Sequence, residues 1–337
     1  MKYIPYSLVF IVVSSVGVRH VQAQENDFTQ YFLNLPVVNA GFTGMNDYLD
    51  VRTGLREGWN DFSIKNSNTF LSAYGTLGAG KRSGRRNNSL RISNPGTFNS
   101  IQQSNEFRRR LGAGAMISER TVGPYKSFGA SLNFAYHLPL SPKLNLSLGT
   151  RGSFFNKRID FTGLQVRDDV NDIFYQNLIA SNQGAQNLVN VDFGTVLYSR
   201  RFYFGVATSN LVSKKLNGEQ LFAVADEARY KAQIGVFLPV SPELSVAPAV
   251  VATYAQGYDV KLAASLRVRY KEFFYVGGGY EAGSRTSLLV GFNTTNLSIG
   301  YAYDIYTAAL TNFNANTHEL VLGITVLNRY KLKPSFW

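Results

Sequence analysis

Between residues 260 and 270 the chain alternates with a period of two. Val260, Leu262, Ala264, Leu266, Val268 and Tyr270 fall on one side, and Lys261, Ala263, Ser265, Arg267 and Arg269 on the other. Successive side chains of a strand point to opposite faces of its sheet. One face here is cationic and must meet water, whereas the other can meet hydrocarbon. Similar alternation recurs along most of the chain after residue 24. It predicts strands near 48–58, 68–78, 110–120, 127–139, 143–156, 187–199, 202–212, 229–240, 243–254, 258–269, 272–281, 285–293, 296–308 and 318–329. An even set of antiparallel strands with one apolar face is the pattern of a transmembrane β-barrel. The expected fold is therefore all-β, an outer-membrane barrel of about 14 antiparallel strands.

The connections carry a second signal. From the fourth strand onward every other connection is short: Ser141-Pro142-Lys143, Ser199-Arg200-Arg201, Ser241-Pro242-Glu243, Tyr270-Lys271-Glu272 and Thr294-Thr295-Asn296. Those between them are mostly longer, notably 157–186 and 213–228. Outer-membrane barrels have short periplasmic turns and long external loops, so this parity predicts both termini in the periplasm. The run His137-Leu138-Pro139-Leu140-Ser141-Pro142-Lys143-Leu144 is echoed by Phe237-Leu238-Pro239-Val240-Ser241-Pro242-Glu243-Leu244. Proline removes ladder donors, and this is a strand-ending device used twice. Residues 79–109 break the parity. They join the second and third strands on the periplasmic side and hold Arg82, Arg85, Arg86 and Arg91 among other cations, with Glu106 as the single acid. Two readings stand: a solvated insertion, or an arm that docks an acidic periplasmic partner.

The N-terminus has the layout of a secretory signal. Lys2 precedes an apolar run from Tyr6 to Val18, and Val21-Gln22-Ala23 is a small-residue cleavage site. The chain divides into a signal peptide over 1–23, a periplasmic or lumen segment over 24–47, and a barrel over 48–337. No later stretch approaches the roughly 18–20 continuous apolar residues of a spanning helix. With 24 Phe and 20 Tyr against 2 Trp, the composition suits aromatic girdles at two interfaces. Cysteine is absent, which excludes disulfides and thiolate chemistry. The net charge of +12 falls to +10 once Lys2 and Arg19 leave with the signal. Its concentration in one loop argues for outer-membrane lipid or an acidic partner, and against nucleic acid.

Candidate chemistry is sparse. Two histidines remain after residue 23. His137, beside the Pro139 turn, suits a structural role at the membrane interface, and His318-Glu319 is a weak start for a hydrolase. Asp168, Asp169 and Asp172 read more readily as a solvated patch than as a calcium site. Gly277-Gly278-Gly279 and Gly112-Ala113-Gly114 fall within strands with no following helix, so they are not phosphate loops. Small residues there ease curvature or the close approach of a lumen plug. No catalytic residue, metal site or cofactor is expected. On the inward face the alternation places Asp50, Arg52, Arg56, Arg151, Asp192, Lys231, Lys261, Arg267, Arg269, Asp304 and Glu319. They would line a pore with a cationic constriction, or a closed lumen whose charges pair with one another or with residues 24–47; the mixture of signs favours the second.

The stretch Gln30-Tyr31-Phe32-Leu33-Asn34-Leu35-Pro36-Val37-Val38-Asn39-Ala40-Gly41-Phe42-Thr43-Gly44 resembles the opening of the PorP/SprF family of Bacteroidota, in which a QY run leads to N-P-A-Y-A-G. Here Ala40 stands where that motif has proline. Leu55-Arg56-Glu57-Gly58-Trp59, Asn68-Thr69-Phe70-Leu71-Ser72-Ala73-Tyr74, Tyr301-Ala302-Tyr303-Asp304 and Thr317-His318-Glu319-Leu320-Val321-Leu322-Gly323 resemble further family motifs, in order. The resemblance implies a cell outer-membrane barrel tied to type IX secretion and gliding motility. It also implies a part in exporting or anchoring a large secreted surface adhesin with a type-B C-terminal domain. Type IX secretion components, periplasmic ring proteins or lipoproteins, are the implied partners. A porin-like or hydrophobic-substrate channel is the alternative that the residues themselves leave open.

Overall fold

The computed structural model describes residues 28–58, 66–77, 109–160, 185–217, 227–306 and 316–328. The signal stretch, Arg82, Arg85, Arg86 and Arg91, and Asp168, Asp169 and Asp172 lie outside them. Fifteen strand segments form one antiparallel sheet: β1 (Leu49–Gly58), β2 (Asn66–Thr76), β3 (Arg110–Val122), β4 (Tyr125–Ser141), β5 (Leu144–Ile159), β6 (Ala185–Tyr198), β7 (Phe202–Asn217), β8 (Arg229–Val236), β9 (Leu238–Pro239), β10 (Leu244–Ala255), β11 (Lys261–Tyr270), β12 (Phe274–Glu281), β13 (Arg285–Asn293), β14 (Leu297–Tyr306) and β15 (Thr317–Val326). β8 and β9 both pair with β10 and make one barrel strand interrupted at Phe237. The barrel thus has fourteen strands. It closes where β1 pairs with β15, from Leu49↔Val326 to Gly58↔Thr317. Among the described residues no helix is long and apolar enough to cross a membrane.

Most of the strands sort their side chains by parity. In β11, Leu262 and Leu266 are exposed on the outside while Ser265, Arg267 and Arg269 are buried within. Leu132, Phe134, Leu148, Val276 and Leu288 stand on the same outer surface. An apolar exterior around a polar interior is stable only with hydrocarbon outside, and the protein is a barrel of the outer membrane. The tight turns are held by hydroxyl side chains. Ser199 Oγ accepts from the backbone N–H of Arg201 and Phe202, Ser241 Oγ from Glu243 and Leu244, and Thr294 Oγ1 from Asn296 and Leu297. Such hydroxyl-to-backbone bonds favour turns over continued strand.

Several boundaries differ from the alternation. β7 runs on through Asn217, into the stretch expected as a loop over 213–228. A bulge allows this: the β6–β7 register shifts between Val191 and Phe193, and Asn210 takes φ 57°. Pro139 and Pro239 mark the irregular strand ends of the two echoed runs, a register shift beside Pro139 in β4 and the short β9. Of the two places open to residues 24–47, the described part takes the lumen: Phe28, the first described residue, lies within the barrel, edge-on to Phe70 of β2. From there the chain descends inside the lumen through a 3-10 turn (Tyr31–Leu33), one helical turn (Leu35–Val38) and a second 3-10 turn (Ala40–Phe42) before joining β1.

Candidate functional site

The site is the lumen and the segment inside it. Residues 28–48 form a plug with its own core, in which Phe32 and Leu33 pack against Phe70, Tyr275, Leu289, Ala302 and Val321. Lower down, Leu35, Phe42 and Met45 pack against Val196, Tyr198 and Tyr203. Backbone polar groups of so short a segment cannot all be satisfied internally, and a buried group without a partner costs about 1–3 kcal/mol. The barrel wall supplies those partners.

At the upper end of the plug the partner is Glu319. Its carboxylate accepts from Thr29 N at 2.7 Å, from Gln30 N at 2.9 Å and from Gln30 Nε2 at 3.1 Å. Arg56, directly across on β1, reaches the same carboxylate at 2.9 Å and Asp304 at 2.6 Å. Thr29 Oγ1 donates to Asp304 at 2.7 Å, and Arg285 stands between Glu281 at 2.9 Å and Asp304 at 3.6 Å. Five charges from five strands thus form one network, of which Arg56, Asp304 and Glu319 touch the plug residues Thr29 and Gln30. All four side chains of the Arg56–Asp304–Glu319–Arg285 group are under a tenth exposed, so these contacts are little screened by solvent.

Toward the short-turn end the plug is held through neutral side-chain and backbone groups of its own. Asn39 caps the second 3-10 turn by accepting from Gly41 N at 2.8 Å, while its amide donates to the carbonyls of Thr195 and Val206, both at 3.2 Å. Ser147 donates to Gly41 O at 2.6 Å, Arg151 to Val37 O at 2.7 Å, and Arg110 to Met45 O. Cβ atoms would not fit at the closest approaches. One at Gly149 would lie 2.4 Å from the Ala40 carbonyl carbon, and one at Gly112 would lie 2.0 Å from Thr43 O. Burial pushes the phenols of Tyr31 and Tyr48 upward from their ordinary range; both remain protonated at neutral pH.

The two histidines take different places. His137 has its structural role inside the lumen, where it is fully buried and faces the plug. Its Nε2 lies 2.8 Å from Thr43 O, which can only accept, so that nitrogen carries hydrogen. Its Nδ1 lies 2.9 Å from the Tyr198 hydroxyl, which also receives Arg110 and Asn145. His318 and Glu319 are neighbours on a strand and point to opposite faces. His318 lies outside against Tyr301 at 2.7 Å and Glu319 inside, so they cannot act as a catalytic pair.

Of the other charges placed inward by parity, Arg52 pairs with Asp50 at 2.9 Å and Arg151 with Asp192 at 2.6 Å. Arg267 lies over the Phe32 ring, 3.7 Å from its centroid, with Nε and Nη1 making no hydrogen bond. Arg269 lies over Phe237 at 4.9 Å. Lys231 and Lys261 line a cavity of about 490 Å³ above the plug. The residues that sequence reasoning missed are the neutral anchors Thr29, Gln30, Asn34 and Asn39. They have no charge or periodicity to mark them, and only the uninterrupted run over 30–44 hinted at them.

No curated protein matches the chain. Solved structures similar to it include the toluene transporter TbuX of Ralstonia pickettii, at 10% identity over 89% of this chain and 93% of that one, TM-score 0.49. The CymD monoaromatic hydrocarbon channel is 13% identical over 90% and 94%, TM-score 0.48. The outer membrane protein Omp33 of Acinetobacter baumannii is 8% identical over 84% and 99%, TM-score 0.43. None reaches a TM-score of 0.5, and what those proteins carry says nothing of this lumen. Residues 20–324 match the family described as type IX secretion system membrane protein PorP/SprF. The chain belongs to the PorP/SprF family of type IX secretion system membrane proteins.

Proposed function

We propose that this protein works by protein–protein contact, without catalysis and without an open pore, as an outer-membrane partner of type IX secretion. In this reading it assists export or surface anchoring of a large secreted adhesin with a type-B C-terminal domain, in the service of gliding motility. The connections at the long-loop end, around 157–186, 213–228 and 309–317, would hold or guide the adhesin. Arg82, Arg85, Arg86 and Arg91 would face the periplasmic machinery, ring proteins or lipoproteins. The observation that carries the reading is the plug. A segment bonded to at least eight strands, with Glu319 and Arg56 buried against it, is unsuited to steady conduction. A planar-bilayer recording tests this against the transport alternative. The native protein should give no ion-permeable steps, and regular steps altered by charge reversal at Arg267 or Lys261 would overturn the reading.

A further inference from the structure

Parity puts Ser265, Arg267 and Arg269 of β11 on the lumen side, where all three are buried. Arg267 sits between wall and plug, 2% exposed, with its guanidinium over the Phe32 ring. Small wall residues set its course. Its ladder neighbours are Ala247 and Gly277, and a Cβ on Gly277 would lie 2.9 Å from Arg267 Cγ. The arm therefore runs close along the wall and presents its head to the plug. A buried charge is ordinarily paired, and four lumen arginines follow the rule: Arg52, Arg56, Arg151 and Arg285 each meet a carboxylate at 2.9 Å or less. Arg267 departs from it, since its Nε and Nη1 make no hydrogen bond. The titratable groups around it are the phenols of Tyr31, Tyr203 and Tyr275 and the guanidinium of Arg269; among the described residues, none of those acting on its charge is a carboxylate. Phe32 attracts the charge through its ring face yet leaves the two N–H groups without an acceptor. A neutral acceptor such as water would satisfy those N–H groups and leave the charge uncompensated. An anion does both.

We propose that Arg267 binds a monatomic anion, chloride in ordinary saline, where the wall of β11 meets Phe32 of the plug. The surroundings select for size. Phe32 and Leu33 pack with Tyr275 and Leu289 as one core on this side, and a close-packed interior admits a single atom far more readily than a phosphate or a peptide carboxylate. Hydroxyls add to the ligand set. Tyr31 Oη and Ser265 Oγ stand 3.5 Å apart, on the same face as Arg267. Only one of them can donate to the other, so one O–H remains for the ion. The site goes beyond the contact reading and stands without it. It also sets a condition on the plug: the ion neutralises the charge against which Phe32 rests, so a seated plug and a bound halide favour each other.

The test uses the full chain in a mild non-ionic detergent. The protein is warmed in sodium bromide to exchange the ion and crystallised from bromide in place of chloride, and anomalous scattering is measured at the bromine edge. A bromide peak is expected at hydrogen-bond distance from Arg267 Nε or Nη1. Hydrogen exchange gives the second readout. Backbone exchange at Phe32 and Leu33 should be about tenfold or more slower in sodium chloride than in sodium gluconate of equal ionic strength, because a halide at about ten times its Kd favours the seated state by that factor. Arg267→Met removes the buried charge and keeps much of the volume. It should hold the plug equally well in both salts and show no bromide peak. Arg267→Lys keeps the charge and should retain the difference between salts. Lys143→Gln, on an exposed turn, should behave as the native protein, and heat-dependent gel mobility confirms that each variant is folded. An ordered water at Arg267 in place of bromide overturns the proposal. So does equal exchange in the two salts, or a salt difference that survives Arg267→Met, which would put the ion elsewhere. None of these results bears on whether a secreted protein travels with the barrel, so the contact reading stands or falls separately.

Discussion

Replacing Glu319 by Gln isolates the charge that holds the top of the plug. The carboxylate has donors on both oxygens: Gln30 N and Nε2 on Oε1, Thr29 N and Arg56 Nη1 on Oε2. A glutamine offers one acceptor and turns its amide toward the other pair, so at least two donors lose their partner. Hydrogen bonds to charged groups contribute about 1.5–3 kcal/mol each. Two of them give at least about 3 kcal/mol, and Arg56 keeps Asp304 as its counter-charge. The backbone ladder of β1 and β15 is untouched, so the cost falls on seating of the plug rather than on the barrel. About 3 kcal/mol is roughly a hundredfold in the population of the unseated state. In a planar bilayer the native protein should be silent, and Glu319→Gln should open intermittently with that increase. The temperature at which the barrel loses its compact gel mobility should barely move. A silent variant whose barrel instead melts with the full loss would refute the reasoning, because Glu319 would then hold the wall and not the plug.

Gly149→Val drives a side chain into the Ala40 carbonyl, and it should unseat the lower plug and give the same intermittent conductance; silence would count against the tight approach. Asn39→Ala leaves Gly41 N and the carbonyls of Thr195 and Val206 short of a partner. It should loosen the second turn by about 1–3 kcal/mol, read as faster hydrogen exchange at Gly41 and Phe42 with exchange in the strands unchanged. Leu132→Arg puts a charge on the outer face near the middle of β4, where Leu132 is 58% exposed. It should cost about 2–4 kcal/mol in denaturant unfolding from a lipid bilayer while conductance stays silent, and an unaffected stability would mean that this face does not meet hydrocarbon.

The barrel was legible because period-two alternation is a property of each strand alone and survives without any knowledge of neighbours. Boundaries failed where local geometry overrides the period. β7 continues past its expected end because the bulge at Asn210, whose N–H is held by Asp192 at 2.7 Å, lets β7 carry extra residues against β6. Parity within the strand also says which way Arg56, Asp304 and Glu319 point. Their convergence on Thr29 is a different matter, since it depends on β1 closing against β15, far apart in sequence, and on a segment with no period of its own. His137 shows the same limit. Its neighbouring Pro139 turn suggests an interface, whereas the partner that fixes its role, Thr43 O, is a backbone atom that no side-chain pattern announces. Plug anchors that bind through carbonyls and amides leave almost no trace in residue type.

The most direct measurement is to solubilise the protein from its native outer membrane in mild detergent, capture it, and identify what travels with it. A large secreted surface protein in stoichiometric amount, together with periplasmic type IX components, is the expected result. A barrel recovered alone, conducting ions in a bilayer, would contradict a role that works by contact through a plugged lumen.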